Sequence, residues 1–401
     1  MNASTPIARS LAVLAILASG AAGRPAVAQH IEPQVPAATQ QRGSLGHPFP
    51  GYVEDLEVIG PDRFVLAIRD RPQDSIEHVR VYTSTEGAVG RAFAPDEGRV
   101  YDVAAAHDGG FWVLYHSADE VTESRVQAGG MRLQRFSGDG EPVGEDLLLT
   151  GSLLSGPDAV DQPRRGRIIP FQSGAVAVAF TSFIPETRLH ELRLVSFSPD
   201  GEEGLADILE DRLSHMPTID ASPLQDGGVA VAWGTGSPMW DILKLTTLEP
   251  DGQWSDTAQS IWSSSSQRGH ASNLRLAPIT GSEDLAAIFS VGGDQVWQRF
   301  NQNGVAISGV EVLNSTGALI EPLRIEGGRL VGLADGHGSQ PGLYTIAQGD
   351  AAPVPIEALN GRITAFGEES RDSIVVAAVT PSSPDAAPDA PTFAHLYRIR
   401  R

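Results

Sequence analysis

A short motif that recurs along the chain constrains the fold more than any other feature. One copy occupies Leu224–Trp254 and contains a Gly-rich turn, an apolar strand at Val229–Trp233, a polar loop at Gly234–Trp240, an alternating strand at Asp241–Leu248 and a second turn. Apolar or alternating runs of this length between Gly, Pro and Asp clusters are typical of β-strands. Each copy is therefore predicted to form two consecutive hairpins.

The glycine of the second turn gives the length of the repeat. In four of its six occurrences Asp or Asn precedes it, and such dipeptides supply the positive φ that tight hairpin turns need. The spacings are 53, 61, 51, 52 and 45 residues, between Gly87, Gly140, Gly201, Gly252, Gly304 and Gly349. A seventh apolar strand, Ile374–Val379, belongs to a last copy that contains only three strands.

Four strands in about fifty residues match one blade of a β-propeller. With Asp-Gly-Gly before an apolar strand and Asp-Gly after the next, residues 52–401 resemble the β-propeller superfamily, in particular exported bacterial seven-bladed propellers. The resemblance implies an all-β fold of seven four-stranded blades, with six or eight blades as alternatives, closed by an N-terminal strand from between His30 and Phe49. A β-solenoid or a pair of β-sandwiches is the rival, although a sandwich would not repeat four strands at a constant period.

The first residues have the pattern of a signal peptide. They contain a positive charge at Arg9, an apolar run at Leu11–Ala18 that is too short to span a bilayer, and small residues at Ala26 and Ala28. We therefore expect residues 1–28 to be a signal peptide, 29–50 a linker and closing strand, and 51–401 a single propeller domain. The predicted location is the periplasm or the extracellular space.

The charge and cysteine content exclude several functions. The net charge is −21, with one lysine, Lys244, so nucleic acid is not an expected partner. The chain has no Cys, which removes disulfides, thiolate metal sites and Cys nucleophiles. No His spacing typical of a metal site occurs, and we predict no metal and no cofactor. We expect a monomer that is not an integral membrane protein.

A charged residue recurs in the first strand of each predicted blade, near the mouth of the channel. One interpretation is a polar site for a cation or a charged small ligand. The other, which we favour, is a ring of salt bridges between neighbouring strands, because repeat proteins reuse equivalent positions for such contacts. The residues are Asp55, Asp102, Arg167, Asp220, Arg275, Glu321 and Arg362.

The loops between the second and third strands are another candidate for function, because long loops on a rigid scaffold commonly carry binding sites. Trp240 lies at the end of one predicted loop, where it could stack on a sugar or a peptide group, or instead cover the edge of its own blade. These loops and the channel mouth together define the predicted ligand face.

Enzyme signatures are absent from the sequence. There is no Gly-x-Ser-x-Gly elbow or phosphate loop, and the turn at Ser198–Gly201 lacks the Thr-Trp of a sialidase Asp-box. We therefore predict an exported, non-catalytic propeller that binds a protein, a peptide or a glycan through its long-loop face. The alternative is a carbohydrate-active hydrolase or lyase that uses Asp102, Asp220 and Arg167.

Overall fold

The fold is a seven-bladed β-propeller, as the repeat predicts. The computed structural model describes residues 44–400 except 70–77, 96–98, 117–120, 123–124, 127–130, 150–165, 185–188, 214–217, 225, 238–239, 251, 253–257, 264–270, 315–319, 327, 335–340, 348–352, 360–361, 371–372 and 382–391. Seven four-stranded antiparallel sheets form a ring, and the described residues contain no helix. The predicted signal peptide, the predicted turn at Gly349 and the linker up to residue 43 lie outside the described residues.

The first six blades each use four consecutive strands, apart from a small extra hairpin in blade 2. Blade 1 contains β2 (Tyr52–Gly60), β3 (Arg63–Arg69), β4 (His78–Thr83) and β5 (Gly87–Phe93). Blade 2 contains β6 (Arg99–Ala105), β7 (Phe111–His116), β10 (Met131–Phe136) and β11 (Pro142–Leu148), with the extra hairpin of β8 (Val121–Thr122) and β9 (Arg125–Val126). Blade 3 contains β12 (Gly166–Pro170), β13 (Val176–Ile184), β14 (Leu189–Phe197) and β15 (Glu203–Leu213).

The next three blades repeat the arrangement. Blade 4 contains β16 (Thr218–Pro223), β17 (Val229–Ser237), β18 (Trp240–Leu248) and β19 (Gln259–Ser263). Blade 5 contains β20 (Ala271–Pro278), β21 (Leu285–Val291), β22 (Asp294–Phe300) and β23 (Glu311–Asn314). Blade 6 contains β24 (Ile320–Glu326), β25 (Arg329–Ala334), β26 (Gly342–Ala347) and β27 (Val354–Ala358).

Blade 7 is shared between the two parts of the chain that lie furthest apart in sequence. Its strands are β28 (Arg362–Ser370), β29 (Ser373–Pro381), β30 (Thr392–Arg400) and the N-terminal β1 (Ser44–Pro50), which pairs antiparallel with β30. The Phe49 ring stacks on Tyr82 of blade 1, with ring centroids 4.8 Å apart. The predicted closure by an N-terminal strand is confirmed, within the C-terminal part of the predicted donor segment.

The apolar strands are buried on both faces because each blade packs against its two neighbours. In β17 every residue of Val229–Trp233 is buried, and Trp233 and Phe180 belong to the largest fully buried side chains. Clusters of apolar side chains fill each boundary between blades, such as Leu114 of blade 2 with Phe180 of blade 3. The turn glycines adopt positive φ, 85° at Gly140 and 82° at Gly252.

One element of the repeat was predicted incorrectly. Residues 234–240 are not a loop, because β17 and β18 continue to pair from Gly234 with Leu243 out to Ser237 with Trp240. Only residues 238–239 separate the two strands. Gly234–Ser237 carries no apolar side chain, so this part of the hairpin shows no strand pattern in the sequence, and backbone hydrogen bonds extend the strand instead.

The first strands of the blades are the innermost ones and line the channel. We call the face where these strands begin the loop face, and the face where they turn into the second strand the turn face. None of the described residues forms a helix of the length and hydropathy needed to cross a membrane.

Candidate functional site at the channel mouth

All seven predicted charged residues lie on innermost strands. They occupy β2, β6, β12, β16, β20, β24 and β28 at Asp55, Asp102, Arg167, Asp220, Arg275, Glu321 and Arg362, respectively. We call this set the inner-strand ring. The one-per-blade distribution predicted from the repeat is therefore observed, while the contacts between the members differ from blade to blade.

Arg167 joins the three blades in the middle of the ring. Its Nη1 donates to Oδ1 of Asp102 over 3.0 Å, and its Nε lies 3.6 Å from Oδ1 of Asp220. Both carboxylates are buried, with side chains 6% and 5% exposed, whereas the Arg167 side chain is 41% exposed. One guanidinium thus lies between two buried acids of the blades on either side.

Backbone amides of the following blade hold the second oxygen of each acid. The Ile168 amide donates to Oδ2 of Asp102 over 2.6 Å, and the Leu276 amide donates to Oδ2 of Asp220 over 2.7 Å. In both cases the donor is the residue next to a ring position, since Ile168 follows Arg167 and Leu276 follows Arg275. Each carboxylate therefore accepts a hydrogen bond from a backbone amide at a blade boundary, where no neighbouring strand pairs with that amide.

Blade 1 uses the same arrangement with two acids instead of one. Asp55 accepts hydrogen bonds from its neighbour Leu56 and from the backbone of Val103 in blade 2. Two residues further along β2, Oε2 of Glu57 accepts from the Ala105 amide over 3.4 Å. Sequence reasoning missed Glu57, although strand alternation places its side chain on the same face as that of Asp55.

The far side of the ring is a separate ion pair. Arg275 donates through Nε to Glu321 of the next blade, and its Nη1 donates to the Leu274 carbonyl over 3.1 Å. Arg362 lies at the first position of β28 with an exposed side chain. Asp102, Arg167 and Asp220 thus form one contact group, Arg275 and Glu321 form another, and the charge of Asp220 also acts on Arg275.

The surplus of acids around Arg167 changes their ionisation. Burial, together with the charges of Asp55 and Asp102, raises the pKa of Glu57 to about 8, although the charge of Arg167 acts to lower it. Burial likewise raises the pKa of Asp102 to about 7 against the opposing charge of Arg167, and raises that of Asp55. The carboxylates in turn raise the pKa of Arg167, with Asp102 contributing most. At pH 7 Glu57 is therefore largely protonated, while Arg167 keeps its charge.

Trp240 lies at the tip of the hairpin formed by β17 and β18, with its backbone paired to Ser237. Its side chain is outside the described residues, and stacking on a ligand stays a prediction. Within the part of the chain that the structure describes, no group of three or more His, Asp or Glu side chains is arranged to hold a metal ion.

The chemistry open to these acids is limited by their contacts. A carboxylate pair that works as acid and base needs room for substrate between its members. Between Asp102 and Asp220 lies the guanidinium of Arg167, and each acid also accepts a backbone amide. The arrangement joins blades rather than exposing a reactive pair.

Comparison with known proteins supports the architecture. No protein family and no curated protein matches the sequence. Among solved structures, an ulvan lyase of a polysaccharide lyase family aligns with a TM-score of 0.53 and 8% identity, over 90% of this chain and 96% of the lyase. The β-propeller domain of the trilobed protease from Pyrococcus furiosus has 8% identity and a TM-score of 0.47, over 82% and 90% of the two chains.

A longer protein also contains a similar region. This chain aligns with 47% of a prolyl endopeptidase, with 12% identity and a TM-score of 0.48 over 88% of its own length. At 8% identity, the similarity to the ulvan lyase concerns the fold alone and shows no shared activity.

Proposed function

We propose that the protein is a non-catalytic binding protein that holds a protein, a peptide or a glycan at its loop face. In this proposal the inner-strand ring is a rigid support for the binding surface. Trp240 and the hairpin tips around the channel mouth contact the ligand, and the fold presents them on well-packed strands.

One observation supports this proposal most directly. The two buried acids nearest the channel mouth, Asp102 and Asp220, share the guanidinium of Arg167 and accept backbone amides from the next blade. Removing one partner of a buried ion pair leaves an uncompensated charge, which is strongly unfavourable. Groups held in this way fix the inner strand of one blade against the next, as a rigid support for a binding surface requires.

The alternative, a carbohydrate-active hydrolase or lyase, is favoured by one residue. Glu57 is only partly buried, and its pKa of about 8 keeps it protonated at neutral pH, as a general acid requires. Glu57 also accepts only one long hydrogen bond, from Ala105. If the protein is an enzyme, Glu57 is the first acid to test.

A combined binding and turnover experiment distinguishes the two functions. Glycan and peptide arrays identify a ligand of the wild-type protein, and each ligand is then incubated with the protein while cleavage products are measured. Trp240→Ala should weaken binding about tenfold, as expected for losing an aromatic contact. Asn303→Ala, at an exposed position on the turn face, is the control and should bind as the wild type does.

Turnover is tested with Glu57→Gln, which keeps the shape of the side chain. The control is Glu203→Gln, which makes the same change at an exposed position on β15. Ligand binding without turnover in the wild type, Glu57→Gln and Glu203→Gln supports the proposal. Product formation that Glu57→Gln abolishes and Glu203→Gln preserves would establish the enzyme instead, and the absence of any glycan, peptide or protein ligand would contradict both.

A further inference from the structure

A cleft lies on the turn face, at the opposite end of the inner strands from the ring. Its first part is a depression of about 600 Å³ between blades 1, 2 and 3. Its second part is a depression of about 580 Å³ between blades 2 and 3. Both are lined by Ala106, His107, Pro170, Phe171 and Gln172, so they are two parts of one cleft. Each has the volume of a site for a small ligand.

The first depression is apolar at its base. The strand ends and turns of the three blades contribute Val58, Ile59, Ala105, Ala106, Pro170 and Phe171. None of its lining residues is an acid, Lys or Arg. A surface of this composition favours an uncharged apolar group over water.

Two polar side chains, His107 and Gln172, stand at the rim. His107 and Gln172 occupy equivalent positions in two identical turns, closed by bonds of 2.9 Å from Ala106 N to Gly110 O and from Phe171 N to Ala175 O. Both side chains are exposed, and neither forms a hydrogen bond to another described residue. Between them they offer donors and acceptors at the edge of an apolar depression.

The second depression adds charges that cancel. Arg135 donates to Asp108, and its guanidinium lies over the Trp112 ring at 5.3 Å from the centroid. Trp112 is 4% exposed and Phe171 is 2% exposed, so no aromatic face is open to stack on a sugar. The cleft is thus electrically balanced in a chain whose net charge is −21.

We propose that this cleft is a second binding site, for an extended and uncharged peptide segment. An apolar side chain of the segment fills the first depression, and the amide of Gln172 pairs with an adjacent peptide group, because both groups carry one acceptor and N–H donors. His107 provides a further hydrogen bond. This site is separate from the proposed ligand site at the loop face. A loop or a terminus of a partner protein would supply such a segment.

Titration with short peptides tests this site. The probe is the N-acetylated, C-amidated tetrapeptide Gly-Leu-Gly-Gly, and the comparison probes replace its Leu by Phe, Ala or Asp; glucose is a non-peptide probe. Nuclear magnetic resonance of labelled protein detects binding at millimolar peptide. We expect the Leu and Phe peptides to bind, and the Ala peptide, the Asp peptide and glucose to bind at least about tenfold more weakly.

Variants at the rim then link binding to the cleft. Gln172→Ala should weaken the Leu peptide about tenfold, the effect of losing hydrogen bonds of ordinary strength. Asn303→Ala, on an exposed turn of blade 5, is the matched control and should have no effect. Failure of the Leu and Phe peptides to bind, preferential binding of glucose, or equal binding by wild type and Gln172→Ala would overturn the proposal.

The test is independent of the loop face. A ligand found there should bind Gln172→Ala as it binds the wild type, and Trp240→Ala should leave peptide binding in the cleft unchanged. Loss of both activities in either variant would show that the two sites are not separate. Equal melting temperatures of the three proteins establish that each variant is folded.

Discussion

The two ends of the same inner strands differ in how their polar groups are used. Near the loop face, Asp102, Arg167 and Asp220 are engaged with each other and with backbone amides of the next blade. At the turn face, His107 and Gln172 form no hydrogen bond to another described residue. Charge at an equivalent position in every repeat is thus evidence of a contact between blades, while unpaired groups beside a cavity are better evidence of a site.

Proline accounts for part of this difference. Two residues beyond Ile168 and Leu276, whose amides bind the acids, the inner strands carry Pro170 and Pro278. Proline has no N–H, so a side chain of the preceding blade finds no donor there. Pro170 instead lines the cleft. In these two blades, the hydrogen bonds between a side chain on one inner strand and an amide on the next therefore stop at Ile168 and Leu276.

The largest difference in stability between substitutions at the two ends of the inner strands should appear when Arg167 is removed. Arg167→Ala removes the positive charge between Asp102 and Asp220, and we expect a loss of about 3 kcal/mol, at the low end for a buried pair because Arg167 is partly exposed. His107→Ala should change stability by less than about 0.5 kcal/mol. Urea unfolding at pH 7 measures both. Equal midpoints for the two variants would show that the ring does not hold the blades together.

A smaller effect should appear in the pH dependence of stability. The folded-state pKa of Glu57, about 8, exceeds the ordinary value of 4.5, so the folded protein binds this proton more tightly than the unfolded chain. The resulting stabilisation is complete below pH 4.5 and is lost as the pH rises to 8. We expect it to be on the order of 1 kcal/mol, allowing for the partial exposure of the side chain.

Glu57→Gln isolates this contribution, because other acids titrate in both proteins. Between pH 5 and 8, the unfolding free energy of the wild type should fall steadily relative to that of Glu57→Gln. Glu203→Gln, the same change at an exposed position on β15, is the control. A constant difference for Glu57→Gln would contradict the placement of Glu57 among like charges.

The smallest effect concerns Ser222, two residues after Asp220 on the same inner strand. Ser222 is 3% exposed, and its hydroxyl has no hydrogen-bond partner among the described residues, since Pro278 replaces a donor. Ser222→Ala should therefore be neutral or slightly stabilising. Ser196 is equally buried, but its hydroxyl accepts the Leu205 amide at 2.8 Å, and Ser196→Ala should cost about 1 kcal/mol. Thermal unfolding of the pair checks this order.

Much of the architecture could be predicted from local sequence. Glycines such as Gly140 and Gly252 specify turns because only their backbone adopts positive φ without strain, and apolar runs such as Val229–Trp233 specify strands buried on both faces. Their constant spacing then predicts the number of blades. The hairpin at 234–240 escaped prediction because its pairing depends on backbone groups, which every residue carries.

The sequence by itself determined the fold, the closure of the ring by an N-terminal strand and the single charged position in each inner strand, because these follow from turn chemistry and periodicity. Only the tertiary structure decided which charges meet: Arg167 between Asp102 and Asp220, Arg275 with Glu321, and Glu57 added to the acids of blade 1. It alone also placed Pro170, His107 and Gln172 around one cleft. Such contacts join residues of different repeats, and their geometry depends on how the blades pack, which no local pattern records.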